Sequence, residues 1–195
     1  MRGALIALGS LVACAPREPA IRVVMDTSEG HVHCRLDAAA APRSVAMFLG
    51  FADGSAPHVD PSGQPDGRPL YRDLAFFRAI VGGYVQSGCN HGDGSGTPGY
   101  RVPVERSSGD ASRLAMRGAL YLVRYQAPPN RVDPEPPPPG QTIGSQFAIG
   151  LTDMSHLAGE VTVLGQCEDL DVVARIAARV VSGERVQLHS ITRTQ

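Results

Sequence analysis

The sequence predicts a mainly β domain that is folded as a closed barrel and capped by two helices. Two observations support this: short strand-like apolar runs recur along the chain, and only two stretches carry apolar residues at helical spacing. Many short strands with few helices are typical of barrels. The chain has 195 residues, of which 43% are hydrophobic, and is therefore expected to form one domain with a substantial core.

The first half of the chain opens with two predicted strands, residues 21–25 and 31–36, joined through Ser28-Glu29-Gly30. Residues 42–51 are predicted as a helix, because a proline suits the first turn and apolar residues recur on one face. Gly, Pro and Asp are frequent in residues 53–69, which predicts a loop.

The second half begins with residues 76–88, which are predicted as two strand pieces around a Gly82-Gly83 turn. The other predicted elements are strands at residues 119–124, 147–149, 161–165 and 186–192 and a helix at residues 168–179. Residues 127–140 are rich in proline and are expected to extend on the surface as polyproline II. We interpret them as a surface insertion, with docking onto a partner as the alternative.

The N-terminal residues have the features of a targeting segment. Arg2 precedes an apolar run, residues 4–12, that is too short to span a membrane and has the length of a signal-peptide core. The run ends in Leu11-Val12-Ala13-Cys14, which resembles a bacterial lipobox, in which the cysteine is lipidated. We therefore predict a lipoprotein signal peptide and short tether at residues 1–20 and a folded domain at residues 21–195.

In this interpretation Cys14 is the lipidation site and anchors the chain to a membrane in the cell envelope. No Asp follows Cys14, so the resemblance favours the outer membrane, with the domain facing the periplasm. An ordinary signal peptide, or a misassigned start with a chance cysteine, remains the alternative.

Three further cysteines follow, Cys34, Cys89 and Cys167. An odd number leaves at least one free thiol in an oxidising compartment, and one disulfide among the three is open, with the pair undetermined. For Cys34, within a predicted strand, a buried reduced cysteine is the preferred interpretation.

Charge and metal-ligand patterns exclude several classes of function. The net charge is −1 and the basic residues are scattered, so nothing favours binding to nucleic acid. No Cys/His spacing predicts zinc, and His31 and His33, two apart on a strand, are interpreted as exposed histidines. Gly92 to Gly96 lacks the Lys-Ser/Thr of a phosphate loop, and Ser145 lacks the Gly-x-Ser-x-Gly turn of a hydrolase.

Two short motifs carry the chemistry: Phe76-Phe77-Arg78 with Gln86-Ser87-Gly88, and Gly144-Ser145-Gln146-Phe147. Arg78 and Gln86 are an even number of residues apart, so on extended chain both side chains leave one face. A permanently charged guanidinium beside neutral amides on an apolar floor suits a neutral polar ligand such as a peptide.

The order of these motifs resembles the cyclophilin family of peptidyl-prolyl isomerases, from about residue 21 to the C-terminus. The resemblance implies an eight-stranded antiparallel barrel and an isomerase that acts as a monomer, without cofactor, on proline-containing segments of exported proteins. It implies that Arg78 is catalytic and stabilises the twisted X-Pro amide. The residues that it implies for substrate binding are Phe76, Tyr84, Gln86, Gln146, Ala148, His156 and Leu157.

The apolar part of this site departs from the family pattern. The family usually has an aromatic residue at Gly83, a Met at Tyr84 and a Phe at Ala148, so two large walls of the proline pocket are missing. Smaller departures are the residues at positions 81, 89, 156 and 161, where Val81 replaces a proline and Cys89 an acidic residue. A binding module with little or no isomerase activity is therefore the alternative function, followed by a structural lipoprotein.

Overall fold

The structure is a computed structural model that describes residues 21–124 and 140–194. The predicted signal peptide, Cys14 and nearly all of the proline-rich segment lie outside the described residues. The described part contains no helix that is both long and apolar enough to cross a membrane.

The described residues form short strands, two long helices and one short helix. The strands are β1 (Ile21–Thr27), β2 (Gly30–Leu36), β3 (His58–Val59), β4 (Pro65–Asp66), β5 (Leu74–Phe76), β6 (Arg78–Ile80), β7 (Tyr84–Ser87), β8 (Val102–Pro103), β9 (Ala119–Arg124), β10 (Gln141–Gly150), β11 (Thr162–Cys167) and β12 (Val186–Thr194). The helices are α1 (Pro42–Asp53), α2 (Asp110–Leu114) and α3 (Leu170–Val181), and a 3-10 turn spans Ser155–Leu157.

The main sheet closes into a barrel. Its strands pair antiparallel in the order β5-β12-β1-β2-β11-β9-β10-β7-β6. Only Phe77 separates β5 from β6, so the two ends of this order are halves of one bent strand. Counted as one, they give eight positions around the barrel, with β8 added beside the start of β10. The predicted eight-stranded antiparallel barrel is therefore confirmed.

Alternation along the strands fills the barrel with apolar side chains. Each strand directs every second residue inward, and the inward set joins the buried faces of α1 and α3 in one large core. Phe48 and Phe51 of α1 pack with Tyr71 and Phe147, with ring centroids between 5.0 and 5.9 Å apart.

Helix α1 is held at its N-terminus by a carboxylate from a distant loop. Its own N-cap, Ala41, supplies no side-chain hydrogen bond. Instead, Glu105 accepts the N–H groups of Ser44 at 2.8 Å and Arg43 at 3.3 Å. A negative charge at this end of a helix satisfies free N–H groups and complements the helix dipole.

The structure corrects the interpretation of Cys34 as a reduced cysteine. Cys34 on β2 and Cys167 on β11 are direct cross-strand partners, and they form a disulfide. Both are buried, and Cys89 is the free cysteine of the described residues. The pair is separated by 133 residues in sequence, so only the strand pairing brings the two thiols together.

The predicted helices and strands are confirmed, most with ends shifted by one or two residues, although β10 begins six residues before its predicted start. The structure also adds elements that were not predicted. The predicted loop at residues 53–69 contains the small β3–β4 hairpin. Helix α2 is only five residues long, which is too short for helical periodicity to be read. Its Asp110 accepts the N–H of Ser107 at 2.7 Å and so fixes the turn that starts it.

Candidate active site

A break in one barrel strand turns Arg78 to the outside. Leu74 and Phe76 of β5 face the core, whereas in β6 it is Ala79 that packs against the core. The inward-facing positions therefore change from even to odd residue numbers at Phe77. The N–H of Phe77 still donates to the carbonyl of Gln86 at 3.2 Å. Such a one-residue irregularity redirects the side chains that follow it, and here it exposes Arg78.

Arg78 begins a row of side chains that crosses the outer face of the barrel. It is the direct cross-strand partner of Gln86, Gln86 is the partner of Ala148, and Ala148 is the partner of Tyr121. Directly opposed residues of antiparallel strands project from the same face. The prediction that Arg78 and Gln86 share a face is therefore confirmed, and Gln146, two residues before Ala148 on β10, projects from the same side.

Hydrogen bonds fix the orientation of the two glutamines. Nε2 of Gln146 donates to the carbonyls of Gly94 and Gly96, at 2.9 Å each, and its Oε1 accepts from Nε2 of Gln86 at 2.9 Å. Because two carbonyls face the Gln146 nitrogen, the amide cannot be flipped without losing both bonds. Oε1 of Gln86 has no partner among the described residues, so Gln86 offers an acceptor and a second N–H to a ligand.

A glycine allows the two motifs to meet. Gly88, at the end of the Gln-Ser-Gly motif, has a φ of +88°, and a Cβ there would run into the carbonyl oxygen of Ser145. From the core side, the hydroxyl of Tyr71 donates to the same carbonyl at 2.8 Å. The Gly-Ser-Gln segment is thus clamped between Gly88 and Tyr71, which sets the position of Gln146.

The guanidinium of Arg78 is available for a ligand. Arg78 is exposed. Among residues 21–124 and 140–194, no carboxylate pairs with its guanidinium and no group accepts a hydrogen bond from it. An arginine is fully charged at any physiological pH, and its N–H groups can only donate. The arrangement therefore presents an unneutralised donor next to the free amide atoms of Gln86.

An apolar cluster adjoins this polar row. Ala148 and Tyr121, 1% and 3% exposed, pack with Met154, and Tyr84 and Leu157 cover them from the solvent side. Burial raises the pKa of the Tyr121 hydroxyl above its ordinary value, and the neighbouring Tyr84 adds to the rise. Tyr121 is therefore an uncharged aromatic side chain in direct contact with the position where a large wall is missing.

The structure brings most of the predicted site residues together, but not all of them. Arg78, Gln86 and Gln146 form the polar row, and Tyr84, Ala148 and Leu157 lie in the adjoining cluster. His156 is exposed on the 3-10 turn beside Leu157.

Phe76 is the exception among the predicted substrate-binding residues. It is 3% exposed and pairs with Val186 inside the main core, apart from the apolar cluster. The resemblance implies substrate binding for Phe76, but the break at Phe77 leaves Phe76 in the core while Arg78 faces outward. Tyr121 is not among the predicted site residues, because its place in the row follows from strand pairing, which no local pattern shows.

The sequence is similar to bacterial peptidyl-prolyl isomerases. The family model described as cyclophilin type peptidyl-prolyl cis-trans isomerase/CLD matches residues 22–195. A peptidyl-prolyl cis-trans isomerase of Synechococcus elongatus is 31% identical over 165 residues, which cover 85% of this chain and 92% of the relative. A probable peptidyl-prolyl cis-trans isomerase A of Mycobacterium leprae is 30% identical over 178 residues, covering 86% and 89%.

The fold is also that of a solved structure from the same family. A crystal structure of a Cryptosporidium parvum cyclophilin type peptidyl-prolyl cis-trans isomerase superposes with a TM-score of 0.67 and 20% identity, over 91% of this chain and 99% of the other. The barrel, the matching motifs and the named relatives agree on one enzyme class. The chain belongs to the cyclophilin-type peptidyl-prolyl cis-trans isomerase family, as its Arg78 and glutamine motifs predicted.

Proposed function

We propose that the protein is a monomeric isomerase in which Arg78 stabilises the twisted X-Pro amide of exported proteins as they fold. One observation supports this most directly: Arg78, whose guanidinium has no partner within residues 21–124 and 140–194, lies opposite Gln86 and beside an apolar cluster on the outer face of the barrel. No cofactor is needed, because rotation about an amide transfers no electron, proton or group.

The reaction requires stabilisation of a single distorted state. Rotation breaks amide resonance against a barrier of about 18–20 kcal/mol. In the twisted amide the prolyl nitrogen becomes pyramidal and gains a lone pair that is absent from both planar forms. A hydrogen bond from Arg78 to that nitrogen therefore favours the transition state over the cis and trans ground states, which is the condition for catalysis.

The neighbouring groups hold the peptide in place. Oε1 of Gln86 would accept a backbone N–H of the peptide, while its position is fixed through Gln146. The side chains of Tyr84 and Leu157 would contact the proline ring, with the buried Ala148 and Tyr121 beneath them and His156 at the rim. A related C. parvum enzyme was crystallised in the presence of the dipeptide Ala-Pro, which supports a ligand of this class.

The proposed location is the cell envelope, with Cys14 as a lipid anchor in the outer membrane. The lipobox-like N-terminus supports export. The Cys34–Cys167 disulfide supports it independently, because disulfides persist in oxidising compartments and are rare in the cytosol. A mass spectrum of the mature N-terminus tests the anchor: we expect it to begin at a lipidated Cys14, and an unmodified Met1 would contradict it.

A second candidate function is a peptide-binding module with little turnover. It is favoured by the small residues Gly83 and Ala148, since a missing phenyl wall forfeits about 1–3 kcal/mol of apolar contact. Tyr121 compensates for part of this loss, because it is packed directly beside Ala148. A pure binder, in turn, has no need of an unpaired guanidinium next to its amide groups.

An isomerisation assay on a proline tetrapeptide distinguishes the isomerase from the peptide-binding module. The wild type is expected to exceed the uncatalysed rate, and Arg78→Ala is expected to return close to it with an unchanged circular-dichroism spectrum. Arg193→Ala is the matched control, because Arg193 is exposed at the end of β12, and it should keep full activity. A wild-type rate equal to buffer would decide for the binding module, and a loss of folded structure in Arg78→Ala would make that arginine structural.

A further inference from the structure

A buried free cysteine, Cys89, lies behind the glutamine network. It is 0% exposed and follows Gly88, at the start of the turn formed by residues 89–96. Its Sγ accepts the N–H groups of Gly94 and Gly96, each at 3.2 Å. It also donates to Oδ1 of Asp93 at 3.8 Å, so one sulfur contacts three residues of this turn.

The same two glycines hold the side-chain amide of Gln146 through their carbonyl groups. The carbonyls of Gly94 and Gly96 both accept from Nε2 of Gln146, and Gln146 in turn accepts from Gln86. Hydrogen bonds on both sides of Gly94 and Gly96 therefore connect the Cys89 sulfur to the amide of Gln86, which lies opposite Arg78. No other side chain in the described residues accepts the N–H groups of Gly94 and Gly96.

We propose that Cys89 is a positioning residue for substrate binding, which sets the orientation of Gln86 and Gln146 by ordering the glycine turn around its sulfur. The inference rests on the proposed peptide site, but not on turnover. If the sulfur acceptor is removed, two N–H groups lose their partner and the turn must shift to find others. The two carbonyls move with it, and Gln146 and Gln86 follow.

The role predicts a particular kinetic signature. Gln86 would contact the peptide backbone in both ground and transition states, and Gln146 fixes its position, so misplacing the two glutamines weakens binding and leaves the step at Arg78 intact. Replacing Cys89 should therefore raise KM and Kd and leave kcat nearly unchanged. A merely structural role would instead lower the fraction of folded enzyme, which reduces the maximal rate at constant KM.

The test measures Kd for a succinyl-Ala-Ala-Pro-Phe peptide by NMR titration, together with the side-chain amide signals of Gln86 and Gln146. Cys89→Ala and Cys89→Val both lack the acceptor but differ in volume, and each should raise Kd about five- to tenfold. Cys89→Ser keeps an acceptor and a donor and should stay within about threefold of the wild type. In the two apolar variants the glutamine amide signals should shift.

Ser87→Ala is the matched control. Ser87 is equally buried and immediately precedes Gly88, but its hydroxyl donates to the carbonyl of Ala75, away from the glycine turn. Its Kd and its glutamine signals should match the wild type. The inference is overturned if the folded Ala or Val variant binds as the wild type does, if Ser fails to restore binding, or if the glutamine signals do not move.

The amide signals also separate this inference from the proposed function. A wild type that binds peptide without turnover would end the isomerase proposal and leave the Kd comparison intact. If the wild type bound no peptide at all, the positions of the Gln86 and Gln146 signals in Cys89→Ala would still decide whether the sulfur orders them.

Discussion

Replacing Gln146 by methionine should destabilise the protein more than an ordinary surface change would. The substitution keeps the length of the side chain but removes its amide. The carbonyls of Gly94 and Gly96 then lose their shared donor, and Nε2 of Gln86 loses its acceptor. A buried polar group left without a partner costs about 1–3 kcal/mol, and part of this set can turn to water, so we expect a total loss of about 2–4 kcal/mol.

Urea unfolding of the wild type and Gln146→Met measures this loss as a change in the free energy of unfolding. Gln187→Met is the control, because Gln187 lies half-buried on β12 and its side-chain amide forms no hydrogen bond within the described residues. The control should change stability by less than about 0.5 kcal/mol. A Gln146→Met variant as stable as the control would refute the reasoning, since it would mean that the network contributes nothing in solution.

Three further predictions concern the rest of the barrel. Ala148→Phe should lower the free energy of unfolding by about 1–3 kcal/mol, because the new ring overpacks against Tyr121. Adding Tyr121→Ala should recover part of this loss, and purely additive effects of the two substitutions would show that the two side chains do not compete for the same space. Replacing Cys34 and Cys167 together by alanine should cost about 2–4 kcal/mol in urea unfolding, and equal stability would mean that the disulfide does not form. Burial raises the pKa of the Glu105 carboxyl, but hydrogen bonds from Ser44 and Arg43 outweigh it and hold the pKa below its ordinary 4.5. The unfolded chain therefore binds that proton more readily, so the contribution of Glu105 is complete above about pH 4.5 and is lost as the pH falls. Glu105→Gln should accordingly flatten the decline in stability below that pH, and an unchanged decline would contradict the assignment.

Local patterns predicted much of this fold because most elements follow the simple periodicities of strands and helices. The strand at residues 119–124 and both long helices were found in this way, as was the common face of Arg78 and Gln86. Phe76 lies in the core and Arg78 on the outer face, although the two residues are an even number apart. Alternation assumes an uninterrupted strand, and the break at Phe77 moves every following side chain to the other face without a local sequence signal.

Long-range pairing explains the other differences. The Cys34–Cys167 disulfide and the contact between Tyr121 and Ala148 both depend on which strands are neighbours in the closed barrel. Hydrophobic periodicity describes one strand at a time and carries no information on its partners. The contacts of the Cys89 sulfur are local, with Gly94 and Gly96, but they depend on the exact conformation of the turn, which hydrophobic periodicity does not describe either.

NMR exchange spectroscopy on Arg78→Ala, with peptide at saturating concentration, separates stabilisation of the twisted amide from attachment of the peptide. The enzyme-bound cis–trans exchange should slow by about 100-fold or more, the usual effect of losing a hydrogen-bond donor aimed at a transition state, while Kd stays within about threefold of the wild type. Exchange that continues at the wild-type rate would contradict the central role of the guanidinium.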